Sequence, residues 1–215
     1  MIFKNVGIIS SLLAFACAAP TELGSRNMAL SNAPRYPIIP YINDFDHKNP
    51  KDLSNQEIHA SGGAFWIGKK ATVICPLDKK LCPKTTGVTA FTVWHKSTIS
   101  MDTVVPGGQQ VYVTAAGALT YTKPHSAAIP KGSLTKGFDI ASGAPGAFVT
   151  APGQWKACPV KKGKAPYQVF LESFQKKLQN KDVPSKNAKD CIDIFVGYTA
   201  IKNWNKFGTS AYEYA

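Results

Sequence analysis

Arginine is nearly absent from this sequence, although the chain is strongly basic. The chain has 215 residues and 25 basic side chains, of which only Arg26 and Arg35 are arginines. Arginine is the usual side chain for bidentate reading of phosphates and bases, whereas lysine is a hydrated point charge. The sequence also has no zinc-finger, helix-turn-helix or RNP-type pattern. These absences argue against sequence-specific recognition of nucleic acid.

Long apolar runs are missing as well. Residues 6–16 form a short apolar core after Lys4, and Ala16-Cys17-Ala18 fits the small-x-small pattern that ends a secretory signal peptide. The alternative is a membrane anchor, but this core is too short for a hydrocarbon layer of ~30 Å. We therefore predict that residues 1–18 are a signal peptide, that the mature chain is secreted, and that it has no membrane span.

Cysteines are few and, after the signal peptide, even in number. An even count in an exported chain predicts two disulfides, with three possible connectivities. The alternative, a four-cysteine zinc site, would need C-x2-C pairs, and these spacings do not provide them. No metal or other cofactor is expected. The four cysteines are Cys75, Cys82, Cys158 and Cys191.

Residue patterns that carry catalysis are also lacking. No G-x-S-x-G run is present, and Asp190 and Asp193, which flank Cys191, are explained as well by turn capping as by a catalytic carboxylate pair. We expect a protein that is not an enzyme. The histidines are scattered, with no two at metal-ligand spacing: His47, His59, His95 and His125.

Aromatic residues, in contrast, are numerous enough to form a stacking platform for sugar rings. We expect, however, that most of them lie in the core or are half-buried in a sheet, and the platform is the alternative. The side chains concerned are Trp66, Trp94, Trp155, Trp204, Tyr112, Tyr121 and Tyr167.

The pattern of the chain predicts an all-β protein. Residues 19–57 are rich in proline and have no sustained period, which indicates an extended N-terminal arm. From residue 58 to 215, short alternating runs separated by glycine and proline predict one antiparallel β-sandwich or barrel-like domain. Residues 106–126 predict a β-hairpin with its connection at 114–117. Residues 173–189 predict a short helix or a lysine-rich loop.

Several stretches, taken in their order along the chain, resemble a known family. They are SGGAFWIGK with the following ICP and LCP, VPGGQQVYVTAAGALTYTKPHSAAIPKGSLTKGF, QWKACP, YQVF and the DC of KDCIDIF. Together they resemble the secreted IgE-binding proteins of filamentous fungi, which are related to the PhiA-type phialide cell-wall proteins. The resemblance implies a secreted or wall-associated β protein, often met as an antigen, linked to asexual sporulating structures and without an established catalytic activity. It also favours the pairing Cys75–Cys82 and Cys158–Cys191.

The net charge of +12 indicates what kind of partner the protein attracts. A lysine-rich surface is attracted to anionic partners such as wall phosphomannans, acidic glycans or membranes, although it also serves simply to keep a protein soluble. We hypothesise a secreted, non-enzymatic fungal wall protein that binds anionic polysaccharide and is recognised by host antibodies. The alternative is a glycan-binding module or host-directed effector that uses exposed aromatics.

Overall fold

Short alternating runs of apolar and polar side chains make the β-strand the dominant element of this chain. The computed structural model describes residues 37–94, 97–143, 146–201, 203 and 208–215. Within them, the only regular helix is a single 3-10 turn at Ala188–Asp190. The strands are β1 (Ile38–Asn43), β2 (Ile58–Ser61), β3 (Ala64–Ile67), β4 (Val73–Ile74), β5 (Phe91–Trp94), β6 (Thr98–Met101), β7 (Gln110–Val113), β8 (Leu119–Tyr121), β9 (Asp139–Gly143), β10 (Gly146–Thr150), β11 (Gly153–Lys161), β12 (Lys164–Ser173), β13 (Ile192–Asp193), β14 (Phe195–Ala200) and β15 (Glu213–Tyr214).

One large antiparallel sheet contains most of these strands. In the described residues it has 13 strands in the order β13-β11-β12-β3-β8-β7-β6-β5-β1-β14-β10-β9, with β2 paired to β3. A second sheet has two strands, β15 and β4. The expected all-β, antiparallel fold is therefore confirmed.

The two ends of the large sheet lie close together. β13 pairs with β11, and after the single residue Ile194 the chain continues as β14, which pairs with β1 and β10. The backbone N–H of Ile194 donates to the carbonyl of Trp155 (3.0 Å). The indole Nε1 of Trp155 donates to the carbonyl of Val149 on β10 (2.9 Å). These bonds join the two ends of the strand order around one apolar interior.

The predicted hairpin at residues 106–126 is present and belongs to the scaffold. β7 and β8 pair from Val111↔Tyr121 to Val113↔Leu119, and the connection is closed by the N–H of Gly117 donating to the carbonyl of Thr114 (2.8 Å). All four of the paired side chains named here are buried. The hairpin packs into the core and contributes no reactive group.

The proline-rich segment differs from the expectation that the β domain begins at residue 58. β1 pairs with β14 over six positions, and Leu53 is buried in the main core. Pro40 has no N–H to donate, but β1 contacts its other neighbour, β5, only at Ile38, so a proline is tolerated there. Because prolines are uncommon in strands, the sequence pattern gave no indication of β1. Residues 1–36, including the predicted signal peptide, lie outside the described residues.

The lysine-rich segment after β12 is a loop that packs on the outer face of the β11–β12 hairpin. A second, small core lies beneath it, built on the buried Cys158, Phe170 and Val183 with Leu178 packed against them. The Cys158–Cys191 disulfide fastens the end of the segment to β11. The other disulfide, Cys75–Cys82, closes an exposed loop. Both pairs are those that the family resemblance favoured.

The carboxyl-terminal residues also enter the core. Tyr214 is fully buried, and its backbone N–H donates to Oε1 of Gln109 (2.8 Å). The amide Nε2 of Gln109 in turn donates to the carbonyls of Thr122 (3.0 Å) and Tyr214 (3.0 Å). One buried amide therefore satisfies three backbone groups, as burial of polar groups requires.

Candidate functional site

The described histidines lie on separate elements. His47 and His125 occupy exposed turns, both with positive φ, and His59 lies on β2. Burial lowers the pKa of His59, and the charge of Glu57, whose Oε2 is 3.7 Å from Nε2, opposes this only in part. Glu57 is a base beside this imidazole, but among the described residues no serine, threonine or cysteine is hydrogen-bonded to His59 as a nucleophile. His95 lies outside the described residues.

The two carboxylates that flank Cys191 have structural partners. Asp190 accepts from the side-chain amide of Asn187 (3.0 Å), whereas Asp193 pairs with the ammonium of Lys156. The two therefore have separate partners, and the structure gives no support to a catalytic pair flanking Cys191.

Glu172 and Asp193 do share one partner, Lys156. Its Nζ lies 3.4 Å from Oε2 of Glu172 and contacts Oδ1 of Asp193. Burial alone would raise the pKa of Glu172, but the N–H of Leu178, the hydrogen bond of Lys177 and the nearby charges together hold it below its ordinary value. A general acid needs a raised pKa, so this group is suited to an ion pair and not to proton donation.

Most of the described aromatic candidates for sugar stacking are in the core, as expected. Trp155, Tyr112, Tyr121 and Tyr167 are between 0% and 8% exposed and cannot stack on a ligand. Trp66 is half-buried, and its Nε1 donates to the carbonyl of Ser61 (2.9 Å). The side chain of Trp94 and the whole of Trp204 lie outside the described residues.

A different set of aromatics borders a shallow apolar groove. Phe45, Phe148 and Phe195 contact one another with ring centroids 4.9–6.3 Å apart. Phe45 is 41% exposed and Phe195 40%. They line a groove of about 380 Å³ whose lining contains no charged residue. The sequence gives no sign of this set, because Phe45 lies in the segment expected to be an extended arm, and a lone outward phenylalanine on a strand has no distinctive pattern.

A second groove, of about 470 Å³, lies between the β7–β8 connection and the loop after β12. Lys176 crosses from one side to the other, where its Nζ donates to the carbonyl of Ala115 (2.8 Å). Phe174 stands at its rim and is 83% exposed. The lining of the groove includes two lysines, Lys176 and Lys177, but no histidine, cysteine or carboxylate, so it offers no acid–base pair.

Lysines cover much of the remaining surface. In the part of the chain that the structure describes, only Lys48, Lys156 and Lys177 lie within 4.0 Å of a carboxylate oxygen. The other described lysines have ammonium groups free of such pairing. Most of the positive charge counted in the sequence therefore lies on the surface without a nearby carboxylate partner.

Metal-ion clusters and membrane-spanning helices are both absent from the described residues. Among the described residues, no group of three or more His, Cys, Asp or Glu side chains is placed to hold a metal ion. The described residues also contain no helix of the length and apolarity needed to cross a bilayer.

Comparison with known proteins places the chain among secreted fungal proteins. The sequence model of a family described as PhiA-like secreted protein matches residues 46–210. An uncharacterized secreted protein of Arthroderma benhamiae is 35% identical over 159 residues, which cover 70% of this chain and 74% of that protein. No solved structure matches. The chain belongs to the PhiA-like secreted protein family, and its location is extracellular.

Proposed function

We propose that this protein is a non-enzymatic component of the fungal cell wall, retained there by its exposed lysines. The observation that carries the proposal is the excess of lysines without a carboxylate partner on a rigid, disulfide-braced β-sheet body. Such charges attract anionic polymers and are sensitive to salt. The secreted family agrees with this location.

Two extensions follow from the resemblance to fungal IgE-binding proteins. The wall-bound protein would be met by host antibodies as an antigen, and it would serve a structural or surface role during asexual development. A lysine-rich exterior offers many exposed polar side chains to an antibody, and a small body with two disulfides resists proteolysis.

The absence of an enzymatic role is part of the same proposal. It is supported by the separate positions of His47, His59 and His125, and by the ion pairing of Glu172 and Asp193. A nucleophile, a base and an orienting group within hydrogen-bond reach would be needed for hydrolysis, and the two described grooves do not gather them.

A second candidate function is contact with a neutral glycan through the phenylalanine groove. The observation that favours it is the uncharged lining around Phe45, Phe148 and Phe195, which is unusual on so basic a chain. Aromatic contact of this kind is insensitive to screening, whereas attraction by lysine weakens as salt rises.

Fractionation of the producing fungus tests the proposal. We expect a pool of the protein that sediments with washed walls and is released by salt alone. A protein found wholly in the medium, with no pool that salt releases from the wall, would contradict it. A wall pool that resists salt but is lost in Phe195→Ala would favour the phenylalanine groove instead.

A further inference from the structure

We propose that five lysines at one end of the large sheet form a binding face for a linear anionic polysaccharide. Lys69 and Lys70 follow β3, and Lys161, Lys162 and Lys164 lie at the turn between β11 and β12; we call these five residues the basic end. All five side chains are exposed. This inference rests on the proposed function, because it names the lysines that carry out the binding.

Strand pairing brings the two groups of lysines together. β3 and β12 are antiparallel and in register at Ile67↔Tyr167. The next residue, Gly68, lies so close to the β11–β12 turn that a Cβ added to it would be 2.9 Å from Cβ of Ala165. The chain leaving β3 therefore runs beside the turn that carries the other three lysines.

The positive charges of the basic end are not neutralised locally. Lys161 and Lys164 are directly opposite one another across the turn, an arrangement that costs stability through like-charge repulsion. None of the five ammonium groups is within 4.0 Å of a carboxylate oxygen in the described residues. An anionic ligand would relieve this repulsion, and the relief would make the free energy of binding more favourable than for isolated lysines.

The carboxylates of Asp52 and Glu57 lie near the basic end, but each has a partner other than its lysines. Asp52 accepts from the hydroxyl of Tyr167 (3.0 Å), and Oε2 of Glu57 lies 3.7 Å from Nε2 of His59. They reduce the net charge of the region without pairing with its lysines.

Other lysines of the chain are used to hold loops. Lys177 pairs with Glu172 (3.2 Å), and the ammonium groups of Lys176 and Lys186 donate to backbone carbonyls. The segment 174–190 also contains Asp182 and Asp190, so its positive charge is partly balanced. The basic end is distinguished from it by density of charge, and because its ammonium groups form no hydrogen bond or ion pair in the described residues.

The layout of the basic end fits a polymer better than a small anion. Neighbouring strands are ~4.8 Å apart, so the three strands β3, β12 and β11 spread the lysines over about 10 Å. Neither groove is lined by any of the five residues, and lysine offers point charges without a bidentate fork. Charges repeated along a chain of sugars would engage several of them at once. The ring of Trp66, 4.8 Å from Nζ of Lys69, adds an apolar surface beside them.

Paired charge variants test this inference at equal net charge. The basic-end variant carries Lys69→Gln, Lys70→Gln, Lys161→Gln, Lys162→Gln and Lys164→Gln. The control loses the same charge from five exposed lysines on other loops: Lys79→Gln, Lys84→Gln, Lys123→Gln, Lys136→Gln and Lys189→Gln. Binding is measured at low salt to a phosphate-bearing mannan, to the same mannan after its phosphates are removed, and to vesicles of anionic lipid. Circular dichroism and thermal unfolding check that both variants fold.

We expect the wild type to bind the phosphate-bearing mannan and not the dephosphorylated one. The basic-end variant should lose about tenfold or more in affinity, since several ion contacts of modest individual strength are removed together, whereas the control should change by less than about twofold. Equal losses in the two variants would overturn the inference while leaving retention by the whole lysine coat intact. Binding of the wild type to vesicles but not to the mannan would also overturn it. Failure of the wild type to bind either anionic probe would contradict the proposed function itself.

Discussion

Glu172 shows how a single half-buried charge organises a loop. Its Oε1 accepts from the N–H of Leu178 (3.1 Å), and its Oε2 faces Lys156 (3.4 Å) and Lys177 (3.2 Å). Burial opposes ionisation, but these partners outweigh it, and the pKa of Glu172 lies below the ordinary 4.5. Ionised, this carboxylate holds the beginning of the loop against β12.

The lowered pKa of Glu172 predicts a loss of stability in acid. A carboxyl group whose pKa is lower in the folded state stabilises the fold fully above its unfolded pKa, and this contribution disappears as the pH falls through the folded value. Glu172→Gln removes the titration. Between pH 6 and pH 3, we expect the free energy of unfolding to fall more steeply for the wild type than for this variant, as measured by urea unfolding.

Asp182→Asn is the matched control for this experiment, because the side chain of Asp182 has no ion pair in the described structure. Its stability should follow the same pH dependence as the wild type. If Glu172→Gln does so too, the ion pairs with Lys156 and Lys177 contribute nothing to holding the loop.

At the scale of elements, the two disulfides have different tasks. The Cys158–Cys191 bridge spans 33 residues and anchors the segment that covers the outer face of β11 and β12, above a small core that includes Phe170 and Val183. The Cys75–Cys82 bridge spans only 7 residues in an exposed loop. Loss of the first should therefore release a packed layer, whereas loss of the second should loosen a single loop.

Paired alanine variants test this difference. In the chain-entropy model, closing the longer loop contributes about 3–4 kcal/mol and the shorter one about 2–3 kcal/mol. Cys158→Ala with Cys191→Ala should lower the free energy of unfolding by at least the larger amount and open residues 174–190 to limited proteolysis. Cys75→Ala with Cys82→Ala should leave that segment protected. Equal protection of the segment in both double variants would contradict the packed-layer description.

Some elements were predictable from sequence because their signals are local. The hairpin of β7 and β8 has clear alternation and a glycine at its turn, and it was predicted correctly. β1 was not predicted, because Pro40 is atypical of a strand. The position of β1 also depends on its pairing with β14, which is distant in sequence. The break between β13 and β14 at Ile194 could not be predicted either, because most of the residues around it favour a strand. The break arises where the chain changes from pairing with β11 to pairing with β1.

The candidate site was predictable only in its charge. Composition gives the number of lysines but cannot say that Lys69 lies near the turn carrying Lys162, which follows from the register of β3 and β12. The sequence indicated correctly that most of the aromatic candidates are buried, but it could not locate the phenylalanine groove. Trp155 and Tyr167 face the interior through strand alternation, and Phe45, Phe148 and Phe195 meet only when the sheet is assembled.

At the scale of the whole molecule, a large antiparallel sheet with two disulfides carries a basic exterior. Hydrogen bonds of the buried Gln109 fasten the carboxyl-terminal strand to the core. The lysines outside it are mostly free of internal partners. In this account, the work of this PhiA-like secreted protein is done by its surface charge, and the sheet serves to present that charge.

The most direct test of this claim is the dissociation constant of the purified protein for isolated fungal walls, measured across a series of NaCl concentrations. The Debye length falls to about 10 Å at 0.1 M salt and to about 3 Å at 1 M, so binding through exposed lysines should be tight at low salt and weaken continuously by more than about tenfold across that range. An affinity that does not change with salt, or no binding at low salt, would contradict the account.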